Sequence, residues 1–205
     1  MRIALIILFV GFFISENDIK VKKEYYPDKS LKSECLYKDG SNEKYLKTYY
    51  QNGKIKSEGR TENGLKKDYW FHFYENGKLK FKGAYLNNLK QDWWVFYSKN
   101  GKTLSEGQFL NNQKEGYWKH YKNGNLISEG NYKKNNRVDW WIFYNDAGQK
   151  VNEGHYTGKV KNGFHHIYEN GKPKYAGHFK NDVKVGTWVT LNAKGEYIEI
   201  KEYGE

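Results

Sequence analysis

The six histidines are the side chains best suited to proton transfer or metal binding, and they fall at repeated or adjacent positions. Proton transfer near neutral pH needs a group that titrates there, and zinc needs several nitrogen or sulfur ligands at short, fixed spacings. The chain has a single cysteine and no such spacing, so these histidines are typical of strand surfaces. The sequence predicts no metal site and no cofactor. The histidines are His72 and His120, His155 and His178, and His165 and His166.

Two other groups of residues carry the types that catalysis uses. Gly101-Lys102-Thr103 is similar to the end of a phosphate-binding loop, but Phe96 stands where the first glycine of that loop is needed. Glutamates recur at equivalent positions, whereas general acid–base catalysis needs a unique pair. We therefore predict no catalytic residue and no enzyme. The recurring glutamates are Glu58, Glu106, Glu129 and Glu153.

All of these residues lie within a sequence repeat that determines their positions. A turn of the Asn-Gly type recurs with spacings of 23 or 24 residues. A fixed period of this length over most of a chain indicates a stacked array in which each unit contacts only its neighbours. The turn glycines are Gly53, Gly77, Gly101, Gly124, Gly148, Gly171 and Gly195.

Each repeat has the pattern of a β-hairpin. In the copy that begins at Gly77, a second glycine follows at Gly83, an aromatic residue at Tyr85, and a second turn at Asn87-Asn88. The runs between turns are about six to eight residues and rich in aromatic residues, which favours strands. The sequence predicts an all-β fold: an elongated, single-layer antiparallel β-meander of about six to seven hairpin repeats. A ring from the neighbouring strand is expected to cover each bare glycine.

Five tryptophans occupy one position of the repeat, and we call them the tryptophan ladder. In one interpretation the ladder stabilises a thin sheet by stacking across strands. In the other it is an exposed aromatic strip that binds a protein or a sugar polymer. The tryptophan ladder consists of Trp70, Trp94, Trp118, Trp141 and Trp188.

Six basic residues follow the second turn of each copy, and we call them the basic ladder. They are either solvated turn residues that protect solubility and sheet edges, or a positive stripe that faces an acidic protein, lipid head groups or an anionic polymer. The recurring glutamates are expected to balance part of this charge. The basic ladder consists of Lys66, Lys90, Lys114, Arg137, Lys161 and Lys184.

The remaining segments define four regions. Residues 1–15 are predicted to be a secretory signal, with a retained membrane anchor as the alternative, because an apolar run of twelve residues is too short to cross a bilayer comfortably. Residues 16–36 are expected to be a polar linker, and Cys35 an inert thiol within it. Residues 37–195 form the repeat array, and residues 196–205 a capping strand with charges that discourage further pairing. The chain is therefore expected to be exported to the periplasm, the cell envelope or the medium.

The string GYWKHYKNGNLISEGNYKKN, residues 116–135, resembles the MORN repeat. It is most similar to the bacterial MORN-variant family that is often named as the antitoxin of a toxin–antitoxin pair, the YwqK-type family. The marks are the Trp-x-x-Tyr strand, the Asn-Gly turn and the Glu-Gly-x-Tyr strand, over about residues 37–205. The resemblance implies hairpin repeats in an elongated sheet, and binding or scaffolding in place of catalysis.

Two hypotheses about function follow. The leading one is a non-enzymatic scaffold whose ribbon binds a protein, and a toxin-like protein is the partner that the family name suggests. The alternative is an envelope module that binds anionic lipid or polysaccharide, consistent with the net charge of +11. Nucleic acid is disfavoured, because charges of both signs interleave and an exported chain does not meet cytoplasmic nucleic acid. The sequence does not predict the oligomeric state.

Overall fold

A computed structural model describes residues 19–204 of the protein. The predicted signal or anchor, residues 1–15, lies outside the described residues. Within the described part every regular element is a β-strand, and no helix there is long and apolar enough to span a membrane. The strands are β1 Ile19–Tyr25, β2 Leu31–Lys38, β3 Glu43–Tyr49, β4 Ile55–Glu62, β5 Leu65–Phe73, β6 Leu79–Leu86, β7 Leu89–Tyr97, β8 Thr103–Leu110, β9 Gln113–Lys122, β10 Asn125–Lys133, β11 Asn136–Tyr144, β12 Lys150–Thr157, β13 Val160–Glu169, β14 Lys172–Lys180, β15 Val183–Leu191 and β16 Tyr197–Tyr203.

The strands form one open sheet in which spatial order equals chain order. Each strand pairs antiparallel with the next, so β1 and β16 are the two edges. Tight turns make this order possible: Asn87 and Asn88, for example, adopt φ angles of 52° and 66°, a left-handed backbone that asparagine tolerates. The predicted single-layer antiparallel meander of hairpin repeats is confirmed.

A β-bulge interrupts the second strand of each hairpin from β4–β5 to β14–β15. In β5, Lys67 pairs with Arg60 and Trp70 pairs with the adjacent Gly59, so two extra residues lie between the paired positions. The first of them, Asp68, has a φ of 56°. A bulge of this kind bends a strand and redirects its side chains. The equivalent left-handed residues are Asp92, Gly116, Asp139, Gly163 and Gly186.

The core of this one-layer protein lies on one face of the sheet, which we call the tryptophan face. Trp94 packs flat over Gly83, and a Cβ atom built on that glycine would lie 2.3 Å from the ring. The same arrangement recurs at Gly59, Gly107, Gly130 and Gly177. The expected cover of each bare glycine by a neighbouring ring is therefore confirmed.

The polar linker predicted for residues 16–36 is wrong over its described part. Residues 19–25 and 31–36 belong to β1 and β2, and Cys35 pairs with Lys22 on one side and Leu46 on the other. These strands lack the tryptophan and glycine that mark the later copies, and every side chain of β1 is exposed. The lysines that suggested a linker lie on an edge strand, where charge discourages unwanted pairing.

Candidate binding surfaces of the sheet

The tryptophan ladder is the most deeply buried part of the protein. Its five rings are 0–3 % exposed. In Trp118 the indole N–H lies 2.9 Å from the carbonyl oxygen of Gln108 and 3.2 Å from that of Glu115, so the bulge supplies acceptors for the buried donor. The alternative in which the tryptophan ladder is an exposed binding strip is wrong. The rings are buried because the bulge folds the strand over them and the basic ladder covers them.

Each member of the basic ladder lies over an aromatic ring. A cation within about 6 Å of a ring centre is attracted by the negative face of the ring. In the fifth copy, which has no tryptophan, Lys161 lies 4.7 Å from the ring centre of Phe179. The distances from cation to ring centre in the other copies are 4.5 Å for Lys66 and Trp70, 4.8 Å for Lys90 and Trp94, 4.1 Å for Lys114 and Trp118, 4.8 Å for Arg137 and Trp141, and 4.1 Å for Lys184 and Trp188.

The basic ladder is half-buried, so its members are only partly solvated and part of each side chain lies against a ring. Burial lowers the pKa values of Lys66 and Lys90, and burial with the charges of Arg137 and Lys90 lowers the pKa of Lys114 to about 8. Among residues 19–204, no member of the ladder forms an ion pair with a carboxylate within 4.0 Å.

The recurring glutamates do not balance the basic ladder, which corrects a second expectation. Gly107 pairs with Trp118, whereas the adjacent Glu106 pairs with Lys119, so Glu106 points to the opposite face. We call that side the glutamate face. There the glutamates accept hydrogen bonds from tyrosines: Tyr121 donates to Glu106 at 2.7 Å, and Tyr144 to Glu129 at 2.6 Å. Tyr168 donates to Glu153 in the same way.

Backbone bonds between copies hold the basic ladder in line. The N–H of Lys90 donates to the side-chain oxygen of Asn112 at 2.8 Å, and the N–H of Asn112 donates back to the carbonyl of Lys90 at 3.1 Å. Each turn is thus bonded to the ladder residue of the preceding copy. Neighbouring cations are therefore held one hairpin apart. The equivalent pairs are Lys66 with Asn88, Lys114 with Asn135, and Lys161 with Asp182.

His165 replaces the missing tryptophan of the fifth copy. It is fully buried, and its Nε2 lies 2.8 Å from the carbonyl of His155, so it donates as an indole N–H would. Burial lowers the pKa of His165, which keeps the ring neutral and leaves Nδ1 as an acceptor. The side-chain amide of Asn152 lies 3.1 Å from Nδ1 and satisfies it when its NH₂ group points there. This histidine is part of the core.

A different set of rings is exposed, and we call it the outer aromatic row. It consists of the aromatic residue directly before the ladder tryptophan in four copies and of Phe164, which precedes His165, and it lies on the glutamate face. Tyr69, Trp93 and Tyr117 are 45 %, 39 % and 42 % exposed, and Trp140 and Phe164 are half-buried. The sequence offered the tryptophan ladder as the candidate aromatic strip, whereas the exposed rings are its neighbours in the chain. The signal was present, because the residue before each tryptophan is aromatic in four copies and strand alternation places it on the other face.

The acidic and histidine side chains do not converge. Within the described range of the chain, no group of three or more His, Cys, Asp or Glu side chains is arranged to hold a metal ion. A shallow depression of about 520 Å³ on the glutamate face is lined by Phe164, His166, His178 and Val189 among others, and it adjoins the outer aromatic row.

Comparison with protein families connects this architecture to a known repeat. The model of the MORN repeat variant matches residues 20–39, 43–63, 69–87, 114–134 and 166–181. The chain contains MORN repeats. The first match covers most of β1 and all of β2, so the segment predicted as a linker itself matches the repeat. The unmatched stretch with β7 and β8 keeps the same register, so the hairpin architecture continues through it. No curated protein matches the chain.

Proposed function

We propose that the protein is a non-enzymatic scaffold that holds a protein partner on the glutamate face of its MORN sheet. The observation that carries this proposal is the outer aromatic row. Tryptophan and tyrosine are enriched at protein interfaces, because a rigid ring with a polar edge gains contact area at little cost in entropy. Rings that pack no core and remain exposed in successive copies are typical of a binding surface.

The setting of the row supports the same proposal. Trp93 pairs with Gln108 across the strands, and Tyr117 pairs with Asn131, so amide groups alternate with the rings. Tyr117 also donates to Glu129 at 2.6 Å, which fixes its ring. Rings one hairpin apart are separated by about 10 Å, twice the strand spacing, so five of them extend over roughly 40 Å. This length suits a standard protein interface of about 800 Å² per partner.

Within this proposal the partner is a toxin-like protein, and the role is that of an antitoxin or an immunity protein. The support is the resemblance to the antitoxin-like MORN-variant family together with an open face that can cover a partner. An exported or envelope-anchored scaffold would neutralise its partner outside the cytoplasm.

Affinity capture tests the proposal. The purified chain and the double variant Trp93→Ser/Tyr117→Ser are used as baits in extracts of the source cells. The matched control is Tyr25→Ser, which removes an exposed ring from the edge strand β1, where it is 58 % exposed. We expect a partner that is retained by the wild-type and control baits and lost from the double variant. A partner retained equally by all three baits contradicts a role for the outer aromatic row.

The antitoxin role has its own test. The captured partner is expressed alone, with the wild-type chain and with the Trp93→Ser/Tyr117→Ser variant. An antitoxin role predicts that growth stops with the partner alone, recovers with the wild-type chain and does not recover with the variant. Normal growth with the partner alone removes the antitoxin role and leaves the scaffold proposal in place.

A further inference from the structure

The tryptophan face carries a second surface, independent of the outer aromatic row. Its basic ladder consists of six cations in single file, with one for each hairpin from β5 to β15. The glutamates occupy the other side of the sheet, so the positive charge is segregated on one face. A row of half-buried cations without carboxylate partners within the described residues attracts a negatively charged ligand.

The spacing of the cations restricts the kind of ligand. Neighbouring cations of the basic ladder lie two strand spacings apart, with one strand between them, which gives roughly 10 Å between charges at the usual strand spacing. A nucleic acid strand carries a phosphate about every 3.4 Å, so about three phosphates would compete for one cation. An unbranched polysaccharide with one acidic group in every disaccharide has a charge spacing close to that of the ladder.

The shape of the row excludes a flat surface as its best partner. Strands in a sheet typically rotate by about 20–25° relative to one another, so neighbouring rungs differ in direction by roughly 45°. A flat bilayer would contact only two or three cations of the twisted ladder at once. A flexible chain can follow the twist. The ammonium groups are also recessed, since each lies against a ring and is half-buried.

We propose that the basic ladder binds a linear anionic polysaccharide with about one carboxylate, sulfate or phosphate group per disaccharide. Each acidic group pairs with one cation of the ladder, and the flanking, partly exposed rings of Tyr85 and Tyr132 contact the sugars between them. This site lies on the opposite face from the one proposed for a protein partner, so both ligands can be bound together.

Hyaluronan oligosaccharides of defined length test the proposal, because they carry one carboxylate per disaccharide. Binding to the full chain is measured by calorimetry or by fluorescence anisotropy of end-labelled oligomers. The affinity is expected to rise with each added disaccharide up to about six, the number of rungs, and then to level off. It should also fall as salt is raised. Binding that is absent, or that does not depend on oligomer length, overturns the proposal.

Three variants separate the ladder from net charge and from folding. Lys66→Gln/Lys90→Gln/Lys114→Gln is expected to weaken binding on the order of 100-fold, about fivefold for each cation. The matched control, Lys99→Gln/Lys133→Gln/Lys159→Gln, removes the same charge from exposed positions and should keep wild-type affinity. Lys66→Arg/Lys90→Arg/Lys114→Arg should fold and bind, because Arg137 already occupies the equivalent position. An equal loss in the ladder and control variants overturns the proposal.

Other anions complete the test. Single-stranded DNA and vesicles of anionic phospholipid are titrated under the same conditions as hyaluronan. Tighter binding to either of them overturns the assignment to a polysaccharide. The variant Trp93→Ser/Tyr117→Ser is expected to leave hyaluronan binding unchanged, so failure of one proposal is distinguishable from failure of the other.

Discussion

The substitution Gly83→Ala probes the contact on which the core depends. The new Cβ would lie 2.3 Å from the nearest ring atom of Trp94, whereas ordinary contacts begin at 3.4 Å, so ring or strand must retreat by about 1 Å. Overpacking of this kind costs about 1–3 kcal/mol. The shift also weakens the indole N–H bonds to the carbonyls of Ala84 and Gln91, at about 1 kcal/mol each. We expect the free energy of unfolding to fall by about 4 kcal/mol.

Urea denaturation followed by circular dichroism measures this change. The matched background is Trp94→Ala, in which the added methyl group has room. In that background Gly83→Ala should raise the free energy of unfolding by about 0.4–1 kcal/mol, because alanine restricts the unfolded chain. The same small gain in the wild-type background would refute the reasoning, because it would show that no ring requires a bare glycine at this position.

Three further predictions concern titration and the irregular fifth copy. Burial, followed by the charges of nearby basic residues, lowers the pKa values of His72 and His120 to about 4. The free energy of unfolding therefore keeps its full value above about pH 6.5 and falls as the pH drops toward 4, by about 1 kcal/mol per histidine at pH 5. Replacing both histidines by Phe should make the free energy of unfolding depend less on pH over this range. An unchanged pH dependence contradicts the assignment. His165→Trp alone removes one of the two hydrogen-bond partners of the Asn152 amide and leaves only Tyr156, so thermal melting should show the double variant Asn152→Ser/His165→Trp to be more stable than the single one. Glu129→Gln should cost about 1–3 kcal/mol in urea titrations, because the carboxylate accepts from two tyrosines at 2.6 Å; a neutral effect would show these bonds to be dispensable.

The hairpins and their order could be predicted from sequence because the turns identify themselves. Asn87-Asn88 and Gly77 are residue types that tolerate left-handed backbone, and the runs between them are too short for helices. A constant period then determines the sheet, since each hairpin can pair only with its neighbours. Strands β1 and β2 escaped prediction because they have the alternation of a strand but neither the tryptophan nor the bare glycine.

The contact between the two ladders could not be predicted. Lys66 and Trp70 are four positions apart in the sequence, which is about 13 Å along an extended strand. The bulge at Asp68 and Tyr69 shortens this path and places the ammonium group 4.5 Å from the ring centre. Strand alternation is a local rule, whereas a bulge depends on pairing with the next strand. For the same reason the burial of Trp94 and the exposure of Trp93 became clear only from the folded sheet.

The reciprocal bonds between turns give the array a direction. The N–H of Lys90 donates to the side-chain oxygen of Asn112 in the following copy. The N–H of Asn112 in turn donates to the carbonyl of Lys90 in the preceding copy. Loss of the last hairpin therefore uncovers the N–H and carbonyl of a half-buried residue, whereas loss of the first uncovers the N–H and side-chain oxygen of an exposed turn residue. The two ends should fray unequally, with hydrogen exchange advancing from the C-terminal end. A sheet built from near-identical copies thus has two unequal ends, and the hydrogen bonds between its turns determine the order in which its hairpins open.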